Sequence, residues 1–343
     1  MNILIPVLGF GKSGGQRVLS SLANEFIVNG HDVTFVVPES DPIPYYPTKA
    51  RILKSKVTTK YGKICGFLIN LFFLLKKSRS VKADIAIANY FFTAYIVLFL
   101  SFRIRKFYYI QAYEVNFGKK SYMKFLAFLT YLLPLNKIVN SDTLLPEFLN
   151  NHVGIVPAGL DLELYSTTNL PNLEKNINIG IIGRKESYKG TIESIKAISF
   201  VKSNNKNKIN VNIAIHVPCD IDSYLFDFNY FEINNDVELS NFYKKADIVV
   251  AVGLIEDGAF HYPCAEAMAS NCLTISNYSP LFNAESSLFI KTYSQQEIIS
   301  KLEFALSMTR DEIKNEVTRN LSEMNSFAWE SIGKRMLKLL AGH

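Results

Sequence analysis

Short apolar runs alternate along this chain with longer segments whose apolar residues recur at helical spacing. NILIPVLGF reads as a buried strand, and VLSSLANEFIVNG reads as a helix because its apolar residues fall on one face before Gly30 closes it. HDVTFVVPES is the next strand. Between the first strand and the helix lie Gly14 and Gly15, which have no Cβ to hinder a phosphate or sugar, although such a pair is more often simply a turn. The order strand, loop, helix, strand predicts a doubly wound α/β sheet.

The same alternation continues through the chain on both sides of a polar, Asn-rich stretch, NLPNLEKNIN. Strands are predicted at 83–89, 107–113 and 136–142 before it, and at INIGIIGR, VNIAIHVP, DIVVAVGL and LTISN after it. We therefore predict two Rossmann-like doubly wound domains, residues 1–160 and 161–322, facing each other across a cleft with ligands at the carboxyl ends of the strands. A last helix, 323–343, is expected to return to the first domain, anchored by Trp329.

Composition fits two ordinary domains, because 343 residues with 48% hydrophobic content suffice for two cores. The four cysteines are scattered without a C-x-x-C pair, which is typical of reduced thiols in a cytosolic protein and predicts no structural metal. Residues 1–8 read better as a strand than as a secretory leader. We expect a cytoplasmic protein.

Charge is divided unevenly, with 19 basic and 8 acidic residues in 1–155 against 18 and 23 in the remainder. Lysines flank a strongly apolar core, 67–75, within the basic stretch 51–82. This pattern suits the surface of an anionic membrane, and it equally suits a core helix with a solvated basic end. The apolar runs 90–102 and 125–135 are shorter than the roughly 20 residues that a spanning helix needs. Nucleic acid is not an expected partner, because no groove-reading motif is present.

The stretch EDGAFHYPCAEAMASNCLT follows an apolar strand and predicts a ligand-binding loop. Pro263 is expected at the first helical position, so that the amides of the preceding loop face a bound anion. Glu266 is expected in the first helical turn, where its carboxylate is stabilised by the helix dipole and accepts hydrogen bonds from a vicinal diol. The alternative is that Glu266 simply favours the start of a helix.

Two cations, Arg184 after Gly183 and Lys189 before Gly190, are predicted beside the start of another helix. Arginine binds phosphate through two parallel hydrogen bonds, and lysine acts as a point charge. Together they suit the charge that develops on a diphosphate leaving group. Taken alone, the motif also fits a capped helix with solvated basic residues.

Taken together, these motifs resemble a retaining glycosyltransferase of family 4, which has the GT-B fold. The resemblance covers nearly the whole chain, through GGQRVLSSLANEFIVNGHDVTFV, VPAGLDLELY, the two cations, YKKADIVV, PCAEAMASNCLTI and the FAWES helix. It implies that Arg184 and Lys189 hold the donor diphosphate and that Glu266 holds the ribose hydroxyls. It also implies further donor-binding positions at Gly14, Gly15, Gly183, Gly258, Ala259, Phe260, His261 and Tyr262.

The chain departs from the family pattern at two positions. The family has two acids with seven residues between them, and counting back from Glu266 the position of the first acid is Gly258, so Glu256 or Asp257 is expected to replace it as a catalytic residue. QAYE stands where many relatives carry a histidine, which makes Gln111, Tyr113 and Glu114 candidates for the acceptor side of the cleft. A subgroup of rhamnosyltransferases is similar at this point, which suggests a deoxysugar donor.

The resemblance implies an enzyme that moves a sugar from a nucleotide-diphosphate donor to a saccharide or lipid-linked acceptor in cell-surface polysaccharide synthesis. It implies no cofactor and no metal, and it places the enzyme at the inner face of the cell membrane. Two other functions fit the same motifs: a sugar-nucleotide epimerase, and a non-catalytic nucleotide-binding partner of an active transferase.

Overall fold

The computed structural model describes residues 1–117, 120–174, 176–205, 208–219, 221, 227–254 and 260–342. They form two compact units, which we call unit 1 (Met1–Gly159 with Trp329–His343) and unit 2 (Leu160–Ala328). The sequence places the first boundary between residues 160 and 161 and the second between 322 and 323. In the structure the chain leaves unit 1 after Gly159 and returns to it at Trp329.

Unit 1 is built on a parallel sheet of seven strands in the order β3-β2-β1-β4-β5-β6-β7. The strands are β1 (Asn2–Pro6), β2 (Asp32–Pro38), β3 (Arg51–Ser55), β4 (Ile85–Ala88), β5 (Arg105–Ile110), β6 (Asn136–Val139) and β7 (Gly154–Ile155). The chain reverses its direction of travel across the sheet between β1 and β4. This is the doubly wound arrangement that the sequence predicts.

Among the described residues, unit 1 contains five α-helices: α1 (Gly14–Val28), α2 (Lys63–Arg79), α3 (Phe91–Leu98), α4 (Ser121–Thr130) and α12 (Trp329–Gly342). Val18, Leu22 and Phe26 of α1 are buried, as the helical spacing of its apolar residues predicts. Gly30 follows this helix with φ +80°, a left-handed conformation that glycine adopts without a Cβ clash.

The basic stretch 51–82 contains a strand that the sequence analysis did not predict. Its first residues form β3, which pairs with β2 in the register Phe35↔Ile52 and lies at the edge of the sheet. Residues Lys63–Arg79 form α2, which places Leu74 in the core but leaves Leu68 and Phe72 exposed. The stretch therefore contains a strand at the edge of the sheet and a helix at the surface.

Unit 2 contains a parallel sheet of five strands in the order β10-β9-β8-β11-β12. The strands are β8 (Asn176–Ile182), β9 (Lys208–Ala214), β10 (Phe228–Phe231), β11 (Ile248–Val250) and β12 (Leu273–Ile275). Successive residues of a strand point to opposite faces, so Val250 packs into one buried cluster and Val249 into another. Burial on both faces explains why the central strands read as continuous apolar runs.

The helices of unit 2 are α5 (Leu162–Tyr165), α6 (Thr191–Asn204), α7 (Asp236–Lys244), α8 (Tyr262–Ala269), α9 (Ser279–Asn283), α10 (Gln295–Ser307) and α11 (Arg310–Met324). Helices α6 and α8 follow β8 and β11 respectively. Their amino termini therefore lie at the carboxyl edge of the sheet, where ligands bind in doubly wound folds.

Helix α12 packs against α1 within unit 1. A Cβ added at Gly333 would lie 2.5 Å from Cβ of Glu25, so the two helices are in close contact at this point. Arg105 Nη1 donates to the oxygen of Leu340 at 2.8 Å, which ties the end of α12 to β5.

No helix in the described ranges combines the length and apolar character that spanning a bilayer requires.

Candidate active site

A pocket of about 330 Å³ opens at the carboxyl ends of β8 and β11 in unit 2. These two strands are neighbours in the sheet, and the chain reverses its direction of travel between them. Such a reversal point is where ligands bind in open α/β sheets. The pocket brings together several residues predicted from the sequence: Arg184, Lys189, Phe260, His261 and Tyr262.

Both cations belong to the turn between β8 and α6, and the backbone of this turn is tightly packed. Arg184 N–H donates to Oγ1 of Thr191 at 3.0 Å, which ties the start of the turn to the first residue of α6. Lys189 Nζ lies 4.9 Å from the ring centroid of Tyr188, within the range of a cation–π contact. Gly190 adopts φ +67°, and α6 begins at the next residue. A helix amino terminus and two cations therefore line one wall of the pocket, a combination that favours a polyanion.

Gly183 is required by packing alone. A Cβ at this position would lie 1.7 Å from the backbone oxygen of His216. Packing therefore explains why position 183 is a glycine without any ligand, and the donor-binding role of Gly183 stays a prediction.

His261 directly precedes α8 and lines the same pocket as these cations. Its ring stacks on Tyr278 with the centroids 3.7 Å apart and the planes 4° from parallel. Burial, followed by the positive charges of Lys189 and Arg184, lowers the pKa of His261 to about 3. The imidazole is therefore neutral at physiological pH, and its Nδ1 has no hydrogen-bond partner among the described residues.

Glu266 lies one residue further into its helix than the sequence analysis predicts. Helix α8 begins at Tyr262, so Pro263 is its second residue and Glu266 falls in the second turn rather than the first. The effect of the helix dipole is concentrated in the first turn, so the dipole does not explain this carboxylate.

Two tyrosines explain the position of Glu266 instead. The side chain is buried, and its Oε1 and Oε2 accept hydrogen bonds from Tyr165 OH at 3.0 Å and Tyr243 OH at 3.1 Å. Burial, followed by the charge of Glu266, raises the pKa of Tyr243 well above its usual value, so Tyr243 remains a proton donor. The ribose contact that the resemblance implies for Glu266 stays a prediction.

The tyrosine partners of Glu266 were missed in the sequence analysis, although both occur in motifs that carry the resemblance. Tyr165 ends VPAGLDLELY, and Tyr243 begins YKKADIVV. A signal was therefore present, but nothing local in either motif indicates a contact with α8.

The predicted loop that precedes α8 is described only in part. Glu256, Asp257, Gly258 and Ala259 lie outside the described residues, so the question of which acid replaces the first acid of the family stays a prediction. Phe260 is described, and its ring packs edge to face on Tyr262 with the centroids 5.0 Å apart.

Unit 1 brings three other predicted residues together at the carboxyl edge of its own sheet. Gly14 and Gly15 begin α1, and Gln111 follows β5. Gln111 Nε2 donates to the oxygen of Gly15 at 3.4 Å, and the oxygen of Gln111 accepts from Asn140 Nδ2 at 2.6 Å. Tyr113 stacks on Tyr131 with the ring centroids 5.7 Å apart.

The sequence analysis expects Glu114 in an open cleft, but the structure does not place it there. The residue is buried, its Oε2 accepts from Phe91 N–H at 2.5 Å, and its own N–H donates to the hydroxyl of Tyr131 at 2.8 Å. Burial raises the pKa of Glu114 to about 8, so the group is mostly protonated at neutral pH. In this conformation the side chain belongs to the core and does not face an acceptor.

A scan against protein-family models and a search of curated proteins both find no match to this chain. Solved structures do resemble it. Anabaena HepE in complex with UDP and glucose is 12% identical, with a TM-score of 0.71 over 100% of both chains. WaaG, a glycosyltransferase involved in lipopolysaccharide biosynthesis, is 13% identical, with a TM-score of 0.68 over 99% of this chain and 100% of its own.

A structure named as a UDP-N-acetylglucosamine 2-epimerase from Listeria monocytogenes is also similar. It is 12% identical, with a TM-score of 0.61 over 100% of this chain and 96% of its own. At such low identity a likeness defines the fold and leaves the activity open. The likeness confirms the predicted fold class, so the chain has the two-domain, Rossmann-like GT-B fold.

Proposed function

We propose that this chain is a retaining glycosyltransferase of the family 4 type, which moves a sugar from a nucleoside-diphosphate donor to a saccharide or lipid-linked acceptor. One observation carries the proposal: Arg184, Lys189 and the amino terminus of α6 line one pocket at the reversal point of the unit 2 sheet. A diphosphate is the ligand that best matches two cations and a helix amino terminus.

These groups suit catalysis as well as binding. The charge on a diphosphate grows as the glycosidic bond breaks, so fixed cations at this position stabilise the transition state more than the ground state. We propose that this positive charge serves in place of a bound metal ion. The neutral imidazole of His261 supplies a hydrogen-bonding group beside the cations, which suits a hydroxyl of the donor sugar.

The remaining roles are assigned to both units. Glu266 is proposed to contact the nucleotide ribose, and Glu256 or Asp257 to serve as the first acid of the family pattern. Gly14 and Gly15 of unit 1 are proposed to contact the diphosphate, and Gln111 and Tyr113 the acceptor. The excess of basic residues in unit 1 supports action at the anionic inner face of the cell membrane, within cell-surface polysaccharide synthesis.

Thermal unfolding with UDP, GDP and TDP, in the presence of EDTA, tests the donor site. A nucleotide at about 100 times its dissociation constant should stabilise the protein by about 2.7 kcal/mol, which is a measurable shift. The likeness to HepE, whose structure holds UDP, makes UDP the first nucleotide to try. The Arg184→Ala variant should lose the shift and keep the unfolding temperature of the unliganded protein. Absence of a shift with every nucleotide would contradict the proposed donor site.

The likeness to a structure named as an epimerase supports epimerisation of a sugar nucleotide as a second candidate function. An epimerase consumes its sugar nucleotide without an acceptor, whereas a transferase releases the nucleoside diphosphate stoichiometrically with glycosylated product. Product analysis with and without acceptor separates the two activities. Nucleotide binding without either reaction would favour the non-catalytic partner subunit.

A further inference from the structure

An open groove of about 370 Å³ lies on the helical surface of unit 1. Its lining consists of aliphatic and aromatic side chains from α2, from α3 and the residue that follows it, and from α4. Helix α2 contributes Leu68, Leu71, Phe72 and Leu75, which recur at the spacing of one helical face. The helix rises by 1.5 Å at each of the seven steps from Leu68 to Leu75, so this face is about 10 Å long.

Helix α3 contributes a second face with the same spacing, Phe92, Tyr95, Ile96 and Phe99. The rings of Phe67 and Phe92 pack edge to face near the start of both helices, with the centroids 4.7 Å apart. Contacts also join the two helices at their carboxyl ends, so α2 and α3 run in the same direction and form the two sides of the groove.

The groove offers a ligand no free polar group from the tyrosine in its lining. Tyr95 OH donates to the backbone oxygen of Leu126 at 2.8 Å, so the hydroxyl is already satisfied within the protein. A polar ligand would lose its hydrogen bonds to water here without replacement, whereas a hydrocarbon would lose none.

The apolar surface extends beyond the groove. Leu68 and Phe72 are each 58% exposed, and Phe102 is 89% exposed. Among the described residues, eleven of the 24 large hydrophobic side chains that are exposed fall between residues 61 and 132. A concentration of this kind marks a surface that contacts another molecule or a membrane.

The part of the chain that forms this apolar surface is strongly basic. Residues 51–141 contain sixteen Lys and Arg, of which Lys137 is buried, and two acidic residues, of which Glu114 is buried. Arg79 lies at one end of the groove, where its Nε and Nη2 donate to the oxygen of Phe99 at 3.1 and 2.7 Å. Among the described residues, no ion pair involves a side chain between 51 and 132.

The charge decides between possible occupants. A second copy of this chain would bring the same excess of positive charge to the interface, and like charges at close range disfavour such a pairing. An anionic bilayer offers hydrocarbon for the groove and negative headgroups for the lysines and arginines.

We propose that the groove formed by α2, α3 and α4 takes up a hydrocarbon chain of an anionic phospholipid, while the surrounding cations contact the lipid headgroups. This proposal deepens the membrane contact in the proposed function, by assigning it to one surface and one kind of ligand. Vesicle binding requires neither donor nor acceptor, and UDP-induced stabilisation requires no vesicle. Failure of one measurement therefore leaves the other intact.

Flotation with vesicles tests the surface. The wild-type protein should float with phosphatidylcholine vesicles that contain about 30 mol% phosphatidylglycerol and much less with phosphatidylcholine alone. The double variant Leu68→Gln/Phe72→Gln should bind the anionic vesicles about tenfold more weakly or worse, because it removes exposed apolar area from the groove. Phe282→Gln, at an exposed position of α9 in unit 2, is the matched control and should bind like the wild type.

A tryptophan probe separates insertion of a lipid chain from attraction to headgroups. Leu68→Trp in a Trp329→Phe background should be quenched by anionic vesicles with brominated acyl chains, whereas Phe282→Trp in the same background should not. Vesicle binding without quenching at position 68 would reduce the contact to headgroups and overturn the groove assignment. A concentration-dependent dimer that Leu68→Gln/Phe72→Gln abolishes, with no vesicle binding by the wild type, would assign the surface to a second copy instead.

Discussion

The turns that follow β1 in unit 1 and β8 in unit 2 occupy equivalent places in two sheets wound in the same order. A Cβ added at Gly15 would meet only the side chain of Gln111, at 3.4 Å, and that side chain is able to move. A Cβ at Gly183 would fall 1.7 Å from the backbone oxygen of His216, which is fixed in the fold. Glycine in unit 2 is therefore explained by packing, whereas in unit 1 the packing leaves it unexplained and open to a ligand.

The cations in these two turns extend the contrast. In unit 2 the turn carries Arg184 and Lys189 into a pocket, whereas the cation in the turn of unit 1, Lys12, lies with its Nζ 5.0 Å from the ring centroid of Tyr45. The two sheets thus share one topology and have equivalent carboxyl edges. The side chains at each edge determine what each unit binds. The proposed diphosphate site therefore rests mainly on the residues of unit 2.

The largest effect is expected from removing the cations. Arg184→Ala and Lys189→Ala should each lower sugar transfer by about 10²–10³, the range found when one preorganised donor to a developing anion is lost. Rates of nucleoside diphosphate release measure the effect, and circular dichroism checks the fold. Lys185→Ala, an exposed neighbour outside the pocket lining, is the matched control and should keep full activity. Full activity of both pocket variants would remove the central claim about unit 2.

A pair of alanine substitutions tests the glycine comparison directly. Gly183→Ala should destabilise the protein by about 3 kcal/mol or more, because the new methyl group overlaps a backbone oxygen and the turn must shift. Gly15→Ala should change the free energy of unfolding by less than about 1 kcal/mol and should weaken donor turnover instead. Urea unfolding and turnover, measured on both variants, are sufficient. Full activity of Gly15→Ala would mean that no ligand contacts the turn of unit 1 at Gly15.

A smaller loss is expected at Glu266. Glu266→Gln replaces one carboxylate oxygen with an amide group that donates, so the hydroxyl of Tyr165 or Tyr243 loses its acceptor at a cost of about 1–3 kcal/mol. Urea unfolding gives this cost, and titration with UDP shows whether Glu266 also binds the nucleotide. Tyr165→Phe leaves the carboxylate in place and should retain UDP affinity. Wild-type UDP affinity in both variants would confine Glu266 to the core of unit 2.

The most gradual effect is a pH dependence in unit 1. The pKa of Glu114 is about 8 in the folded chain against an ordinary 4.5, so between these values the folded state holds a proton that the unfolded state has lost. Stability should therefore decline as pH rises from 4.5 to 8, by at most about 1.4 kcal/mol per pH unit from this group.

Glu114→Gln should remove this contribution, because an amide does not titrate. The free energy of unfolding of the variant should then fall less steeply across the same pH range than that of the wild type. Glu147→Gln, at an exposed site in the same unit, serves as the control. An unchanged slope in Glu114→Gln would mean that Glu114 is already ionised in the native state.

The central strands of both sheets were predictable from the sequence because burial on both faces makes them continuously apolar. Three edge strands were not. β3 exposes Arg51 and Lys54 and reads as part of a basic stretch, β7 has only two residues, and β10 has four residues of which none is buried. Edge strands often carry charges that discourage pairing with other chains, and those same charges hide them from a pattern search.

The candidate site was likewise predictable only in part from the sequence. Local motifs were enough to place Arg184, Lys189 and His261 near the edge of one sheet. The partners of Glu266 could not be read from the sequence, because Tyr165 and Tyr243 lie 101 and 23 residues away and meet it only in the folded chain. Burial of Glu114 was likewise hidden, because it depends on Tyr131 and on the start of α3.

The return of α12 to α1 has a consequence for the order in which the protein is made. Unit 2 is one continuous segment, Leu160–Ala328, whereas unit 1 needs Trp329 and the residues after it. Domains usually fold during synthesis from the amino terminus onward. Here the ribosome delivers all of unit 2 before it delivers the last helix of unit 1. The second unit encoded is therefore the first that the growing chain is able to complete, and α1 must wait with its α12-facing side uncovered until translation reaches Gly333.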